Sequence, residues 1–412
     1  MPADYEALWR DIAPVGRSAT SGGYFRQPFA TAERELDAWF VEQARARDLE
    51  VERDRFGNTV AWWRPAPLVE PVETEPSSLV EPVGTNRGAV LTGSHLDSVL
   101  DGGAYDGPLG VVSSLAAIDL LRDRGFTPAR PVGIAVFVEE EGSRFGQACL
   151  GSRLATGALS WEDARALRDR DGVALEDAYS DVERGDADLL GSVGCFVELH
   201  VEQGRDLVDR GVPVGAASAI WPHGRYRFDF SGQANHAGTT RMEDRRDPML
   251  TYAMTVLAAN EQARGSGQRA TFGRLDVRPN GTNAVPSAVT AWLDARAETP
   301  ALLDAMLADV ERLAQDRAGH DGTALTVTPE SVSAAVHFDA DLTARIAAPH
   351  GWPVIPTMAG HDAGVLSAAG IPTAMLFVRN PTGISHSPDE YAETVDCLTG
   401  VEALADTLAR LA

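Results

Sequence analysis

Lysine is absent from the 412-residue sequence, so all 36 basic residues are arginine. This absence excludes Schiff-base catalysis, a P-loop phosphate site and a metal site bridged by a carboxylated lysine. Cysteine is scarce: Cys149, Cys195 and Cys397 lie far apart, which argues for reduced thiols and against a disulfide framework. No apolar run approaches the roughly 20 residues that span a bilayer, and the first residues show no signal-peptide pattern. We therefore expect a soluble, cytoplasmic protein.

The charge of the chain is strongly acidic, with 60 acidic residues against 36 basic ones and a formal net charge of -24. A surface of this sign repels the phosphates of nucleic acids and anionic lipids. We therefore expect neither nucleic acid nor a membrane as a partner. The length and the 44% hydrophobic content fit a protein of two or three domains with a buried core.

Short apolar strand patterns alternate with helical patterns in the first and last parts of the chain. Strands are predicted at 89–92, 132–138, 195–199 and 373–378, and an apolar helix is predicted at 109–122. Each strand ends in a polar cluster, which is where open α/β sheets place their chemistry. The pattern predicts an α/β fold whose mixed, mostly parallel sheet is flanked by helices.

A middle segment, 211–328, has a different pattern, with two helices among four strands. It predicts a small α+β domain inserted into the larger domain, which would then comprise 1–210 and 329–412. A Pro- and Glu-rich insert at 65–86 contains the pentapeptide LVEPV twice. We interpret this insert as a mobile surface loop, because almost nothing in it can pack.

Acidic and imidazole groups follow the predicted strands in five segments. These are GSHLDS (93–98), YDG (105–107), EEEGSRFG (139–146), ELHVEQG (198–204) and GISHSPDE (383–390). Histidine and carboxylate ligands suit zinc, manganese or cobalt. Asp97 is placed to orient His95, because a ligating imidazole usually donates its other N–H to a carboxylate. A single histidine is more often structural, so the predicted metal site depends on the joint occurrence of all five segments.

This ordered set resembles the dinuclear metallohydrolases related to aminoacylase and glutamate carboxypeptidase. It is most similar to their amidase branch, which contains allantoate amidohydrolase, N-carbamoyl-L-amino-acid hydrolase and β-ureidopropionase. The resemblance extends from SGGYFR (21–26) to GISHSPDE and omits only the LVEPV insert. It implies a hydrolase that cleaves the C–N bond of a small anionic ureido or N-carbamoyl acid, with two zinc or manganese ions per subunit.

The resemblance also implies roles for individual residues in the predicted catalytic domain. The implied metal ligands are His95 and His200 for one ion, Glu141 and His386 for the other, and Asp106 for both. Glu140 would be the general base that activates a metal-bridged hydroxide. The peptidase branches usually carry a carboxylate at the position of His200, so His200 favours the ureido-hydrolysing branch.

The inserted domain carries a second set of matches. The segment NHAGTTRM (235–242) resembles the family's NHAGTTPM, with Arg241 in place of proline. His236 would polarise the scissile carbonyl in the site of the neighbouring subunit, in a homodimer formed through the inserted lid and dimerisation domain. Asn283 and Arg296 resemble the residues that bind the substrate carboxylate, a task for which the planar fork of arginine is suited.

Relatives often place glutamine shortly before the strand at Arg225, whereas this chain has WPHGRY (221–226) there. The remaining predicted site residues are Gln203, His223 and Arg225 as substrate contacts, and Asp97, His361 and Asp362 as support for the site. The difference from the relatives at residues 221–226 leaves the substrate's identity open, with allantoate slightly favoured.

Three alternatives are open at this point. The enzyme could be an aminoacylase or dipeptidase, against which His200 argues. The protein could be a non-catalytic metal- or ligand-binding homologue, against which the presence of Glu140 with all five ligands argues. For Arg296, the alternative to substrate binding is an ion pair with Asp294 on the strand surface.

Overall fold

The computed structural model describes residues 5–65 and 88–412. They form two compact units: unit 1 comprises the described residues up to Ser218 and His337–Ala412, and unit 2 comprises Ala219–Val336. Almost all of the insert that we interpret as a mobile loop, from residue 66 onward, lies outside the described residues. In the described part of the chain, no helix is both long and apolar enough to cross a membrane.

The strands follow one another in chain order. They are β1 (Glu50–Arg53), β2 (Thr59–Trp63), β3 (Ala89–His95), β4 (Val132–Phe137), β5 (Val193–Val201), β6 (Val214–Ile220), β7 (His223–Ser231), β8 (Asn235–His236), β9 (Arg269–Arg278), β10 (Ala284–Val285), β11 (Ala288–Arg296), β12 (Ala324–Ser333), β13 (Val336–His337), β14 (Val354–Thr357) and β15 (Thr373–Val378).

The α-helices lie between them. They are α1 (Tyr5–Ile12), α2 (Thr31–Ala46), α3 (Pro108–Asp123), α4 (Leu150–Thr156), α5 (Trp161–Ala164), α6 (Leu175–Ala178), α7 (Asp206–Arg210), α8 (Pro248–Ser266), α9 (Pro300–Asp321), α10 (Ala340–Ala347), α11 (Asp362–Ala368) and α12 (Thr394–Leu411). Short 3-10 turns occur at Tyr179–Asp181, Met242–Asp244 and Ala348–His350.

Unit 1 is built around one mixed sheet with the strand order β1-β2-β4-β3-β5-β15-β6-β13, and β14 pairs with β6. The four central strands β4, β3, β5 and β15 are parallel to one another. Strands β4 and β15 are buried along their whole length, as parallel strands covered on both faces must be. Helices α3 and α12 pack against each other and contribute to the largest apolar core. The predicted fold class is therefore confirmed.

Unit 2 contains a four-stranded antiparallel sheet with the strand order β12-β7-β11-β9. Burial alternates along β7 and β11, so one face of the sheet carries residues such as Phe228 and Leu293, which pack against α8 and α9. The opposite face is polar. Strands β6 and β13, which flank unit 2 in sequence, both pair within the sheet of unit 1. Unit 2 is thus an insertion between two strands of the larger sheet.

Candidate active site

The carboxyl ends of the parallel strands in unit 1 meet at one edge of the sheet and carry the predicted ligands. His95 ends β3, and residues 139–141 follow β4 after Val138. His200 is the penultimate residue of β5, and His386 lies in the segment that follows β15. Because parallel strands present their carboxyl ends on the same side, the topology brings these distant residues together.

A first cluster contains His95, Asp106 and His200, whose ligand atoms all lie within 4.8 Å of one another. The Oδ1 atom of Asp106 is 3.2 Å from Nε2 of His200 and 3.7 Å from Nε2 of His95. Both Nε2 atoms are buried and have no hydrogen-bond partner among the described residues. Buried nitrogen atoms without a donor or acceptor are costly unless a ligand satisfies them, and a cation would do so here.

A second cluster shares Asp106 and adds Glu141 and His386. The Nε2 atom of His386 is 3.5 Å from Oδ2 of Asp106 and 3.5 Å from Oε2 of Glu141. Asp106 therefore directs Oδ1 toward the first cluster and Oδ2 toward the second. Nitrogen and carboxylate donors in this arrangement fit two divalent cations that share one carboxylate.

The imidazoles are oriented from behind by hydrogen-bond acceptors. Nδ1 of His200 lies 2.9 Å from the backbone oxygen of Val201, and Nδ1 of His95 lies 3.2 Å from the backbone oxygen and 3.4 Å from Oδ1 of Asp97. Asp97 also accepts hydrogen bonds from the backbone N–H groups of Glu140 and Glu141, each at 3.1 Å. One buried carboxylate thus connects the end of β3 to the acidic segment after β4, which fixes the directions of His95 and of both glutamates.

The pKa values of the clusters are set by burial and by the contacts between carboxylates and imidazoles. Burial would raise the pKa of Asp106, but the imidazoles of His200 and His386 hold it well below its usual range. Burial would lower the pKa of His200, but the Asp106 carboxylate raises it to about 9. The interior of the site therefore favours positive charge next to Asp106.

Glu140 lies beside the first cluster, with Oε2 3.6 Å from Nε2 of His95. Burial raises the pKa of Glu140 to about 7. Its Oε1 accepts a hydrogen bond from the thiol of Cys149 at 3.4 Å. A carboxylate that titrates near neutral pH next to a cation site is suited to accept and release a proton. Cys149 was not predicted, because its contact depends on the turn that brings residue 149 back to residue 140.

Three further predicted residues surround the clusters. The ring centroid of His361 is 4.5 Å from that of His200, and the buried Asp362 accepts a hydrogen bond from Ser152. Gln203, predicted as a substrate contact, uses its Nε2 to donate to Oδ2 of Asp106 at 2.8 Å. In the structure Gln203 therefore supports the shared carboxylate.

Glu198 is a site residue that the sequence prediction missed, although it lies in the quoted ELHVEQG segment. It forms a third group of potential ligands with His200 and His361. Its carboxylate accepts hydrogen bonds from Ser94 at 2.8 Å and from the backbone N–H of Ala363 at 3.0 Å. Glu198 and His200 are two residues apart on a buried strand, so their side chains point to the same face of the sheet. This spacing could have revealed Glu198.

The remaining predicted residues belong to unit 2. His236 is exposed on β8, and its Nδ1 accepts hydrogen bonds from the backbone N–H groups of Gly238 and Thr239. The backbone oxygen of Asn283 accepts a hydrogen bond from Ala237 at 3.0 Å, and β8 pairs with β10. His236 and Asn283 are therefore close neighbours.

Four polar residues face the same side of the unit 2 sheet. Strand register places Arg296 opposite His223, and Asp294 opposite Arg225. The guanidinium of Arg296 donates to both carboxylate oxygens of Asp294, at 2.7 and 3.1 Å. The ion pair considered as the alternative for Arg296 is thus present, and it holds the guanidinium plane in a fixed direction.

Comparison with known proteins adds independent evidence. Residues 91–410 match the model of Peptidase family M20/M25/M40. The chain is 34% identical over 426 aligned positions to an N-carbamoyl-L-amino acid amidohydrolase of Geobacillus stearothermophilus, covering 99% of this chain and 98% of that protein. It is 32% identical over 334 positions to an allantoate amidohydrolase of Bacillus subtilis (strain 168), covering 78% of this chain and 81% of that protein.

A crystal structure of an amidase of the hydantoinase/carbamoylase family from Burkholderia vietnamiensis superposes with a TM-score of 0.86 and 27% identity. The match covers 100% of this chain and 97% of that one. The histidine and carboxylate clusters at the carboxyl edge of the α/β sheet are compatible with bound metal ions. The chain belongs to Peptidase family M20/M25/M40, which confirms the resemblance seen in the sequence, and it is an amidohydrolase.

Proposed function

We propose that the protein hydrolyses the C–N bond of N-carbamoyl or ureido acids, with allantoate slightly favoured as substrate. The observation that carries the proposal is the convergence of His95, Asp106, Glu141, His200 and His386 into two clusters that share Asp106, with Glu140 beside them. The names of the relatives from G. stearothermophilus and B. subtilis support the substrate class.

The proposed cofactor is a pair of divalent cations, zinc or manganese. His95 and His200 would hold one ion, Glu141 and His386 the other, and Asp106 both. When bound, such ions polarise a carbonyl and lower the pKa of water from 15.7 to about 7. Ureido groups are poor electrophiles, so activation of both the nucleophile and the carbonyl is required.

Glu140 is the proposed general base. Its carboxylate would take the proton of the attacking water and deliver it to the leaving nitrogen. The pKa of about 7, raised by burial, suits both transfers at neutral pH. Asp97, which accepts a hydrogen bond from the backbone N–H of Glu140, would keep the carboxylate of Glu140 next to His95.

Substrate binding is assigned to unit 2. Arg296 and Asn283 would bind the substrate carboxylate, with the ion pair to Asp294 keeping the Arg296 guanidinium oriented. His236 would stabilise the negative charge that develops on the scissile carbonyl oxygen. His223 and Arg225 lie on the same sheet face as Arg296 and would contact the remainder of the substrate.

A homodimer through unit 2 is also proposed, with His236 acting in the neighbouring subunit's site. Helix α8 exposes Leu250, Met254 and Leu257, and Leu257 is 57% exposed. Strand β9, at one edge of the sheet, exposes Leu275. Apolar side chains of this kind next to an unpaired strand edge are suited to association with a second copy.

The test is a substrate panel with manganese or zinc added: allantoate, N-carbamoyl amino acids, β-ureidopropionate and N-acetyl amino acids. We expect ammonia release from allantoate or from a carbamoyl amino acid, and little turnover of acetylated compounds. Fastest turnover of acetylated amino acids would identify an aminoacylase. Two bound metal ions without activity on any ureido acid would refute the proposal.

A further inference from the structure

Glu390, the last residue of the GISHSPDE segment, is a buried carboxylate outside the predicted set of site residues. It is only 4% exposed. Its Oε1 accepts hydrogen bonds from the backbone N–H groups of Tyr105 and Asp106, each at 2.9 Å. Its Oε2 accepts a hydrogen bond from Oγ of Ser385, also at 2.9 Å. Both oxygens thus accept hydrogen bonds.

These donors belong to two loops that are distant in sequence and that carry one metal ligand each. Tyr105 precedes the shared ligand Asp106, and Ser385 precedes His386. Oγ of Ser385 also lies 3.1 Å from Oδ2 of Asp106. Glu390 therefore contacts the backbone of Asp106 directly and its carboxylate through Ser385, so it constrains both the position and the direction of that side chain.

The close approach is built into the loop before Asp106. A Cβ atom at Gly103 would collide with the carboxylate of Glu390, so only glycine permits the two segments to pack here. On the other side of the contact, the rings of Tyr105 and Tyr391 meet edge to face with centroids 6.1 Å apart. The contact between the two loops therefore depends on these particular side chains and on glycine at position 103.

Within the described part of the chain, the carboxylate of Glu390 is held by hydrogen bonds and not by a cationic side chain. Among the described residues it forms no ion pair, and the nearest ionisable side chain joined to it by hydrogen bonds is another carboxylate, that of Asp106. Burying a carboxylate without a cationic partner costs several kcal/mol. The hydrogen bonds from Tyr105, Asp106 and Ser385 offset that cost, so Glu390 and the two ligand-bearing loops stabilise one another.

We propose that Glu390 is a positioning residue that holds Asp106 between the two metal subsites, so that its loss weakens the binding of both ions together. The inference rests on the proposed dinuclear centre. Residues such as Glu141 and His386 serve one subsite each, whereas Glu390 acts through the one carboxylate that serves both.

The experiment titrates metal-stripped full-length protein with Mn²⁺ and follows the free ion by electron paramagnetic resonance. We expect Glu390→Ala to weaken the binding of both ions by about 10- to 100-fold, the usual effect of removing a residue that supports a ligand. Glu390→Gln keeps an acceptor for both backbone N–H groups, and its amide can donate to Oγ of Ser385, which leaves the single hydroxyl proton of Ser385 for Asp106. This variant should therefore recover most of the lost affinity.

At saturating Mn²⁺, Glu390→Ala should lower kcat and leave KM nearly unchanged.

A matched control is Asp54→Asn, because Asp54 is another buried carboxylate that binds backbone N–H groups, those of Phe56 and Asn58, but in a turn without ligands. We expect this variant to lower the melting temperature and to bind Mn²⁺ like the wild type. Wild-type affinity in Glu390→Ala, or equal losses in all three variants, would overturn the inference. A wild-type protein that binds no Mn²⁺ would instead refute the dinuclear centre itself.

Discussion

The polar clusters of the two units differ in how the fold holds them. In unit 1, His95 and His200 are completely buried, and hydrogen bonds from their Nδ1 atoms to the backbone oxygens of Asp97 and Val201 fix their rings. In unit 2, His236 is exposed, and Arg296 is oriented by a neighbour on its own strand. The difference indicates that the proposed metal site is preformed by the core of unit 1, whereas the proposed substrate contacts are surface groups. Changes in unit 1 should therefore affect metal content and kcat, and changes at the proposed carboxylate contacts of unit 2 should affect KM.

Removal of the metal ions should have the largest effect and should act on unit 1. We expect a chelator to abolish activity and to lower the melting temperature, because an ion that binds only the folded state at 100 times its Kd contributes about 2.7 kcal/mol. Addition of Mn²⁺ or Zn²⁺ should restore both. Activity that survives when emission spectroscopy detects no metal would contradict a metal-dependent reaction.

Glu140→Gln distinguishes the proposed general base, Glu140, from the adjacent proposed metal ligand, Glu141. Glutamine keeps the shape of the side chain but cannot accept the proton, so kcat should fall by about 10²- to 10⁴-fold while both ions stay bound. The measurement is kcat together with metal content. Loss of an ion in this variant would make Glu140 a ligand and would remove it from the role of general base.

Arg296→Ala tests the expectation that a proposed carboxylate contact in unit 2 affects KM and not metal content. Loss of a charge-assisted hydrogen bond worth about 1.5–3 kcal/mol should raise KM for anionic substrates by roughly 10- to 100-fold and leave kcat and metal content nearly unchanged. Arg274→Ala is the control, because Arg274 is an exposed arginine of unit 2 that pairs with Asp276. An unchanged KM in Arg296→Ala would show that its ion pair with Asp294 is purely structural.

Leu257→Glu should have the smallest effect on metal binding, because Leu257 belongs to the exposed face of α8. Its kcat should fall only because loss of the dimer removes His236 from the neighbouring subunit's site. A buried charge at a two-fold interface would oppose association, so light scattering should report a monomer. Val332→Glu, on the opposite edge strand β12, provides a control with similar exposure and should stay dimeric. A wild-type protein that is already monomeric would remove the proposed role of unit 2 in association.

The sequence predicted the parts of the fold and site that depend on local pattern. Buried strands such as β4 and β15 were recognisable from their apolar runs, and ligands such as His95 and Glu141 from the polar residues after them. Strand β6 was not predicted as part of the larger sheet, because its small residues, VGAASAI, carry little periodic signal. Its place is determined by pairing with β15, which lies far away in sequence.

Supporting contacts were less predictable than ligands, for a physical reason. The hydrogen bond from Gln203 to Asp106, and those from Tyr105 and Asp106 to Glu390, join residues that only the complete fold brings together. A glutamine or glutamate in a loop has many possible partners, and the sequence does not select among them. The ligand types are restricted by coordination chemistry, whereas the supporting residues are restricted only by geometry.

The position of β15 has a consequence for synthesis of the chain on the ribosome. This strand lies between β5 and β6, both of which are made long before it. A nascent chain that ends before Thr373 would therefore expose unpaired edges of β5 and β6, and it would lack His386. If the second cluster binds an ion as proposed, that ion can be held only after the segment that carries His386 has been made.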